Sequence, residues 1–185
     1  MEEMYLESIK KQFVYYKSIG EKTFEQLDEK ALFWQHNEAS NSIAIIVNHL
    51  WGNMLSRWTN FLIEDGEKEW RNRDQEFEII ITTKQELLEK WNEGWKCLFD
   101  ALDLLNKDIL GAEVFIRNQS HTVIQAINRQ FAHYVYHIGQ IVYLGCMIQD
   151  QKWISLTIPK GASKDFNTTK FSKGKHGGHF SDDLT

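Results

Sequence analysis

The order of hydrophobic and polar residues along the chain predicts four long helices. Over residues 3–27, apolar side chains recur every three or four positions, with lysines and glutamates between them. This spacing places the apolar residues on one face of an α-helix. A second stretch with helical spacing ends near Ile63, and Ser40, Asn41 and Ser42 are candidates for its N-cap.

The third and fourth helices have the same kind of pattern. Thr83 followed by Glu86 predicts a capping box at the start of the third helix. An almost continuous apolar stripe then predicts its buried face: Leu87, Leu88, Trp91, Trp95, Leu98, Phe99, Leu102 and Leu105. The fourth helix is predicted to begin at Ser120 and to end at Gln149.

The connections complete a prediction of the fold. Residues 64–82 are charged and break the helical period, so they are expected to form a long surface connection. No convincing set of strands is predicted, although residues 114–117 look extended. The fold class is therefore predicted to be all-α, a four-helix bundle over residues 1–150. Residues 151–185 hold the only proline, Pro159, and are predicted to be an irregular C-terminal extension that packs on the bundle or trails from it.

Composition narrows the class of protein. With 185 residues, of which 42% are hydrophobic, the chain can form one domain with a sizeable core. Its net charge of −5, without a basic stripe, argues against nucleic acid as a partner. Cys97 and Cys146 both lie in apolar helical patterns, which predicts buried thiols in a reducing cytosol.

The sequence predicts a soluble cytoplasmic protein that forms a homodimer. The longest apolar run, residues 141–148, is far shorter than the roughly 20 residues of a membrane span, and the N-terminus is acidic and amphipathic. Trp51, Trp58 and Phe61 form a large apolar face on a helix that must also line a polar cleft. Such a face suggests burial against a second copy of the chain.

The residues most suited to chemistry lie in the fourth helix, within residues 129–149. His133 and His137 are one turn apart, with about 5–6 Å between their Cβ atoms, so they can bind the same metal ion. With a rotation of about 100° per residue around the helix axis, one narrow arc of this helix is polar. It comprises Gln130, His133, His137, Gln140 and Leu144, and Arg129 lies beside it. The opposite arc is predicted to be the apolar side: Ile124, Ile127, Phe131, Val135, Ile138, Val142 and Cys146.

A third histidine strengthens the hypothesis of a metal site. His49 lies on a polar stripe of the second helix, and polar stripes of neighbouring helices can face one cleft. Three neutral imidazoles would leave a coordination position open, as in catalytic sites. The alternative is that these histidines are ordinary bundle or surface residues.

Three further residues are candidates for the surroundings of the metal. Gln140 and Asn53 each lie about one turn from a histidine and could orient a ligand or a bound water. Both could equally be simple polar residues of the bundle. Arg129 could bind an anionic substrate or a neighbouring carboxylate.

The other histidines are weak candidates for metal ligands, and the chain lacks several common catalytic motifs. His121 lies twelve residues before His133, which makes it a poor fourth ligand. His36 is interpreted as a loop residue, and His176 and His179 as tail residues that capture metal only incidentally. The chain has no HExxH, no Glu-x-x-His pair of the di-iron bundles, no P-loop and no GxSxG. An enzyme of this sequence would therefore depend on the metal to activate its nucleophile.

The arrangement resembles a known superfamily. One histidine in the second helix, within residues 48–50, and HxxxHxGQ from His133 to Gln140 are similar to the DinB-like four-helix-bundle metalloenzymes. The segments RxxxHYxxHxGQIVYL (residues 129–144) and SLxIPxGxSxxFN (residues 155–167) resemble a bacterial subfamily of unknown function, so the resemblance covers most of the chain.

That resemblance implies a bundle with up-down-down-up topology, frequent dimers, and a divalent metal ion held by His49, His133 and His137. Characterised relatives include transferases and isomerases that use low-molecular-weight thiols such as bacillithiol or mycothiol. Imidazole ligands suit zinc, nickel, iron and copper alike, so the metal is left open.

Two functions compete at this point. In the first, the chain is an enzyme whose metal keeps a low-molecular-weight thiol deprotonated for attack on a small-molecule electrophile, or activates water as in a hydrolase. In the second, it is a non-catalytic dimeric stress or interaction protein in which any metal is structural. The tryptophans outside the presumed site favour the second function. A ligand-binding or sensor role is a third option.

Overall fold

The computed structural model describes residues 2–182 and is predominantly helical. Met1 and residues 183–185, which belong to the predicted ranges 1–150 and 151–185, lie outside the described residues. The helices of the described part are α1 (Glu2–Glu25), α2 (Glu29–Leu32), α3 (Ile43–Trp58), α4 (Lys84–Asp103), α5 (Val123–Gln149) and α6 (Ser163–Ser172). Two short strands, β1 (Glu113–Ile116) and β2 (Gln119–Thr122), pair antiparallel.

The long helices pack around one hydrophobic core, which confirms the all-α class. Helix α1 contacts α4 and α5, and α3 contacts the same two helices. Trp95 is fully buried between them, with its ring centroid 6.3 Å from that of Phe13 and 6.1 Å from that of Tyr134. The four helices that form this core are therefore α1, α3, α4 and α5, and their up-down-down-up order stays a prediction.

Helix α3 is the most deeply buried element. Ser42 caps it by accepting a hydrogen bond from the backbone N–H of Ile45, as predicted. The helix ends at Trp58 rather than near Ile63, because the chain turns at Asn60, which has a left-handed φ of 52°. Trp58 is only 2% exposed. The apolar face that suggested a dimer is thus partly explained by the core of the chain itself.

Helix α4 begins where the sequence predicts. The Thr83 side chain accepts a hydrogen bond from the backbone N–H of Glu86, and the Glu86 carboxylate accepts hydrogen bonds from the backbone N–H and the hydroxyl of Thr82. The predicted stripe is buried at six positions and partly buried at Leu88 and Phe99.

A β-hairpin before α5 was not predicted. Arg117 and Asn118 form its two-residue turn with φ of 55° and 59°, the conformation that matches the twist of paired strands. Both turn N–H groups donate to the Asp65 carboxylate. Helix α5 therefore begins at Val123, capped by Thr122, and the prediction that it begins at Ser120 is wrong.

The prediction that residues 64–82 form a surface connection is also wrong in part. Lys68 and Glu76 are buried, and a short 3-10 helix, Asp74–Phe77, packs on α3. The Arg57 side chain and the Gly66 carbonyl oxygen form a hydrogen bond, and the Gly66 N–H donates to the Phe115 carbonyl. This charged segment is consequently part of the packed structure.

The C-terminal extension is not wholly irregular, since it contains α6. Trp153 packs close to Gly145 of α5, and Phe180 contacts the ring of Tyr15. The prediction of two buried thiols is wrong, because Cys146 is exposed and Cys97 only partly buried.

Within residues 2–182, no helix combines the length and the apolar character needed to cross a lipid bilayer.

Candidate metal centre

Three histidine side chains from two helices meet at one point. His49 comes from α3, and His133 and His137 come from α5. His133 Nε2 lies 3.2 Å from His49 Nε2 and 3.1 Å from His137 Nε2. One ring nitrogen of each histidine lies within 4.8 Å of the other two, which is close enough for one metal ion. The spacing along α5 and the packing of α5 on α3 produce this cluster.

Two of the three rings are fixed by hydrogen bonds on their far side. His49 Nδ1 donates to Glu76 Oε2 at 2.8 Å, and His137 Nδ1 donates to Gln140 Oε1 at 2.7 Å. A neutral imidazole that donates from Nδ1 has a bare lone pair on Nε2. Both Nε2 atoms therefore present lone pairs to the centre of the cluster, as in metal sites whose ligands are held by second partners.

The distances fit a cation between the rings. His133 Nε2 can donate a hydrogen bond to His49 Nε2 or to His137 Nε2, but not to both. In the other pair, two nitrogen lone pairs face each other at a distance of just over 3 Å. Tetrahedral ligands at about 2.0–2.1 Å from a zinc ion lie about 3.3 Å apart. The donor set and its spacing therefore suit a divalent transition metal ion.

Burial keeps the rings of His133 and His137 neutral at neutral pH. Burial, followed by repulsion from His137 and His49, lowers the pKa of His133 to about 3. Burial and His49 lower the pKa of His137 to about 4, although the bond to Gln140 opposes this. At neutral pH, a metal ion would not have to displace protons from these two rings.

Glu76 is the functional residue that the sequence analysis missed. It is 5% exposed, and burial opposes its ionisation. Hydrogen bonds from His49 and from Arg71, whose Nε lies 2.7 Å from Glu76 Oε1, nevertheless hold its pKa below the ordinary value. The buried carboxylate is thus negative and orients His49. It lies in a segment without periodicity, and no motif of the sequence indicates it.

The other predicted site residues have distinct positions. Gln140 contacts His137 as described and donates to the Tyr136 hydroxyl at 3.1 Å. Asn53 lines the same cleft, and its Oδ1 accepts a hydrogen bond from the hydroxyl of Tyr134 at 3.1 Å rather than from a histidine ring. Arg129 is exposed and lies 3.0 Å from His121 Nε2.

The remaining histidines lie apart from the cluster within the described residues. His36 lies beside Trp34, and His179 Nε2 lies 3.2 Å from the Ser8 hydroxyl. His176 is exposed.

A cleft of about 420 Å³ opens at the three histidines. Asn53, Gln130 and Tyr136 line it together with His49, His133 and His137. Phe77 covers one side, with its ring stacked on His49 at a centroid distance of 4.7 Å. The volume is in the range of small-molecule sites.

The predicted division of α5 into opposite polar and apolar arcs is wrong in detail. Gln130 and His137 are 3% and 8% exposed, whereas Cys146 is exposed. Tyr134, which lies next to His133, is fully buried. Because α3 packs against this side of the helix, the polar arc faces the interior.

The family of the chain follows from a comparison with family models. The model described as "Protein of unknown function (DUF1572)" matches residues 1–162. The chain belongs to this family. DUF1572 is grouped in the DinB-like clan, in line with the resemblance of the histidine motifs. No curated protein and no solved structure matches the chain. The function of this DUF1572 chain must therefore be inferred from its site.

Gly52 provides a test of the role of Glu76. A Cβ atom at Gly52 would lie 2.5 Å from Glu76 Oε1 and 3.0 Å from Glu76 Cγ, so the Glu76 side chain or the helix beside it would have to shift. Gly52→Ala is expected to reduce the free energy of unfolding by about 1–3 kcal/mol, as overpacking does, and to weaken metal binding. Urea denaturation and a chelator competition measure the two effects.

Gly139→Ala is the matched control. Gly139 is also helical, and a Cβ atom there would meet nothing within 4 Å. This variant is expected to gain up to about 1 kcal/mol of stability without a change in metal affinity. Equal effects of the two substitutions would contradict the role assigned to Glu76.

The stability of the metal-free protein is expected to decrease as the pH is lowered. His133 and His137 have folded pKa values of about 3 and about 4, below the unfolded value of about 6.5. The unfolded chain therefore binds more protons, and stability is lost as the pH falls from about 6.5 toward these values. The loss between pH 7 and pH 5 is expected to be about 2–4 kcal/mol.

Urea denaturation at several pH values measures this loss. The double variant His133→Ala, His137→Ala lacks both groups and should give a flatter profile. A wild-type profile that is flat between pH 7 and pH 5 would contradict the prediction.

Proposed function

We propose that this DUF1572 chain is a metal-dependent enzyme in which His49, His133 and His137 hold one divalent transition metal ion. The proposal includes a four-helix bundle with the up-down-down-up order of the DinB-like proteins and a small-molecule substrate in the adjoining cleft. Zinc, nickel and iron are all compatible with the ligands. The observation that carries the proposal is the convergence of three ring nitrogens within 4.8 Å, beside an open cleft.

The surroundings of the histidines favour catalysis over a closed structural site. Three protein ligands leave a position for water or substrate, whereas structural zinc sites have four. When bound, a divalent ion supplies Lewis acidity, which lowers the pKa of a water or thiol that it contacts. Glu76 and Gln140 hold two of the rings in position, and Phe77 shields His49 from one side.

Thiol transfer or hydrolysis is the proposed reaction. Among the described residues that line the cleft, none is an aspartate or glutamate that could act as general base. Glu76 is engaged by both His49 and Arg71. The nucleophile would therefore be a water or a low-molecular-weight thiol such as bacillithiol, activated by the metal ion and not by a protein base.

The test uses protein loaded separately with zinc, nickel and iron. One arm supplies bacillithiol and a chlorinated nitroaromatic, and the other supplies an activated ester. Metal-dependent turnover in either arm, absent from the His133→Ala variant, is the expected result. Rates equal to those of the variant in both arms would contradict the proposed reactions. Circular dichroism checks that the variant is folded.

The alternative, a dimeric interaction protein, loses part of its support. It depended on tryptophans outside the site, but Trp58, Trp91 and Trp95 are buried in the core. The homodimer stays a proposal. Light scattering at micromolar concentration tests it, and a monomeric mass would contradict it.

A further inference from the structure

Every arginine of the chain lines the cleft at the three histidines. The sequence has five arginines, Arg57, Arg71, Arg73, Arg117 and Arg129, and all five belong to the cleft. They come from α3, from the connection after it, from the hairpin turn and from α5. None of the sixteen lysines is among the lining residues, and no aspartate or glutamate within residues 2–182 is among them either. A chain with a net charge of −5 thus concentrates its guanidinium groups in one place.

Two of the arginines have structural roles. Arg57 and Arg71 have side chains that are 6% and 2% exposed, and both bind Glu67 Oε2, at 2.9 and 3.0 Å. Arg117 approaches the same oxygen at 3.4 Å. Three guanidinium groups therefore share one carboxylate oxygen, and Arg71 in addition binds Glu76. Among the described residues, these arginines interact with three carboxylates, Asp65, Glu67 and Glu76, whereas the cleft has five guanidinium groups.

Donors remain unused at the cleft. The Nε atom of Arg57 is buried and has no hydrogen-bond partner among the described residues. Arg73 and Arg129 are exposed, and neither forms an ion pair with a described carboxylate. Arg73 lies over the ring of Phe77, and Arg129 contacts His121. A buried donor without a partner and uncompensated charge both call for an anionic ligand.

We propose that the cleft recognises its substrate through an oxyanion group, a carboxylate or a phosphoryl group, that is bound beside the three histidines by the exposed arginines of the cleft, Arg73, Arg117 and Arg129. The planar fork of arginine suits two-oxygen acceptors, which explains why arginine and not lysine is used. The cleft of about 420 Å³ limits the ligand to a small molecule. This inference rests on the proposed function only in treating the bound anion as the substrate of the metal centre.

The test measures anion binding by isothermal titration calorimetry at low ionic strength. The probes are inorganic phosphate, succinate and the neutral analogue succinamide, each with metal-free and with zinc-loaded protein. The variant Arg117→Gln, Arg129→Gln removes two exposed guanidinium groups that form no hydrogen bond with His49, His133 or His137. The control, Lys96→Gln, Lys107→Gln, removes the same charge at side chains that are 73% and 55% exposed and lie outside the cleft.

The expected result is binding of phosphate or succinate that is at least about tenfold weaker in the arginine variant and nearly unchanged in the lysine control. The tighter of the two probes identifies the group as phosphoryl or carboxylate. Binding of succinamide as tight as that of succinate, or equal losses in both variants, would overturn the inference.

Metal uptake, measured on the same samples, separates this inference from the proposed function. The arginine variant should take up as much zinc as the wild type. Zinc uptake without arginine-dependent anion binding would contradict the anion site and leave the proposed metal enzyme standing. Arginine-dependent anion binding by a protein that takes up none of zinc, nickel and iron would contradict the proposed metal enzyme and leave the anion site standing.

Discussion

Replacing Glu76 with alanine is expected to lower the free energy of unfolding by about 3 kcal/mol and to weaken metal binding about 10- to 100-fold. The carboxylate accepts hydrogen bonds from His49 Nδ1 at 2.8 Å and from Arg71 Nε at 2.7 Å. Its loss would leave Arg71, whose side chain is 2% exposed, with Glu67 as its remaining carboxylate partner. It would also free the ring of His49 to rotate away from the cluster.

Stability is measured by urea denaturation of the metal-free protein, and metal affinity by competition with a chelator. Glu78→Ala is the matched control, because Glu78 lies two residues further on and is exposed. Its effect is expected to stay within about 0.5 kcal/mol. If Glu76→Ala bound metal as tightly as the wild type, Glu76 would have no role in orienting His49.

Replacing Tyr134 with phenylalanine is expected to cost about 2–3 kcal/mol of stability. The Tyr134 hydroxyl accepts a hydrogen bond from Trp58 Nε1 at 2.9 Å and donates one to Asn53 Oδ1 at 3.1 Å. All three side chains are buried, so the substitution removes two bonds and leaves both partners unpaired. These bonds join α5 to α3, the two helices that carry the histidines.

Thermal and urea denaturation measure the effect, with Tyr143→Phe as the control. Tyr143 lies on the same helix and is 66% exposed, so its hydroxyl should contribute little. A loss below about 0.5 kcal/mol for Tyr134→Phe would mean that solvent replaces both bonds, and the hydroxyl would then not join the helices.

The helices could be predicted from the sequence because their stripes and caps are local signals. The Thr83 cap and the buried positions of α4 follow directly from the order of residues. The hairpin was missed because its turn, Arg117 and Asn118, lacks the glycine that usually marks a two-residue hairpin.

The candidate site was only partly visible in the sequence. The spacing of His133 and His137 indicates a shared face, and the polar stripe of the second helix adds His49, which the resemblance to the DinB-like proteins also implies. Of the five arginines the sequence indicated only Arg129. Glu76 and the other four could not be found in this way, since a charged residue looks the same in a sequence whether it is solvated or paired in the interior. Only the fold of residues 64–82 onto α3 shows that Glu76 reaches His49.

The metal content of the purified, untagged and chelator-washed protein, after incubation with a divalent transition metal, tests the central claim most directly. Elemental analysis should find about one equivalent of transition metal in the wild type and in His121→Ala, and little in His133→Ala. A wild type that takes up no metal on titration, or a His133→Ala variant that binds as much as the wild type, would contradict the three-histidine site.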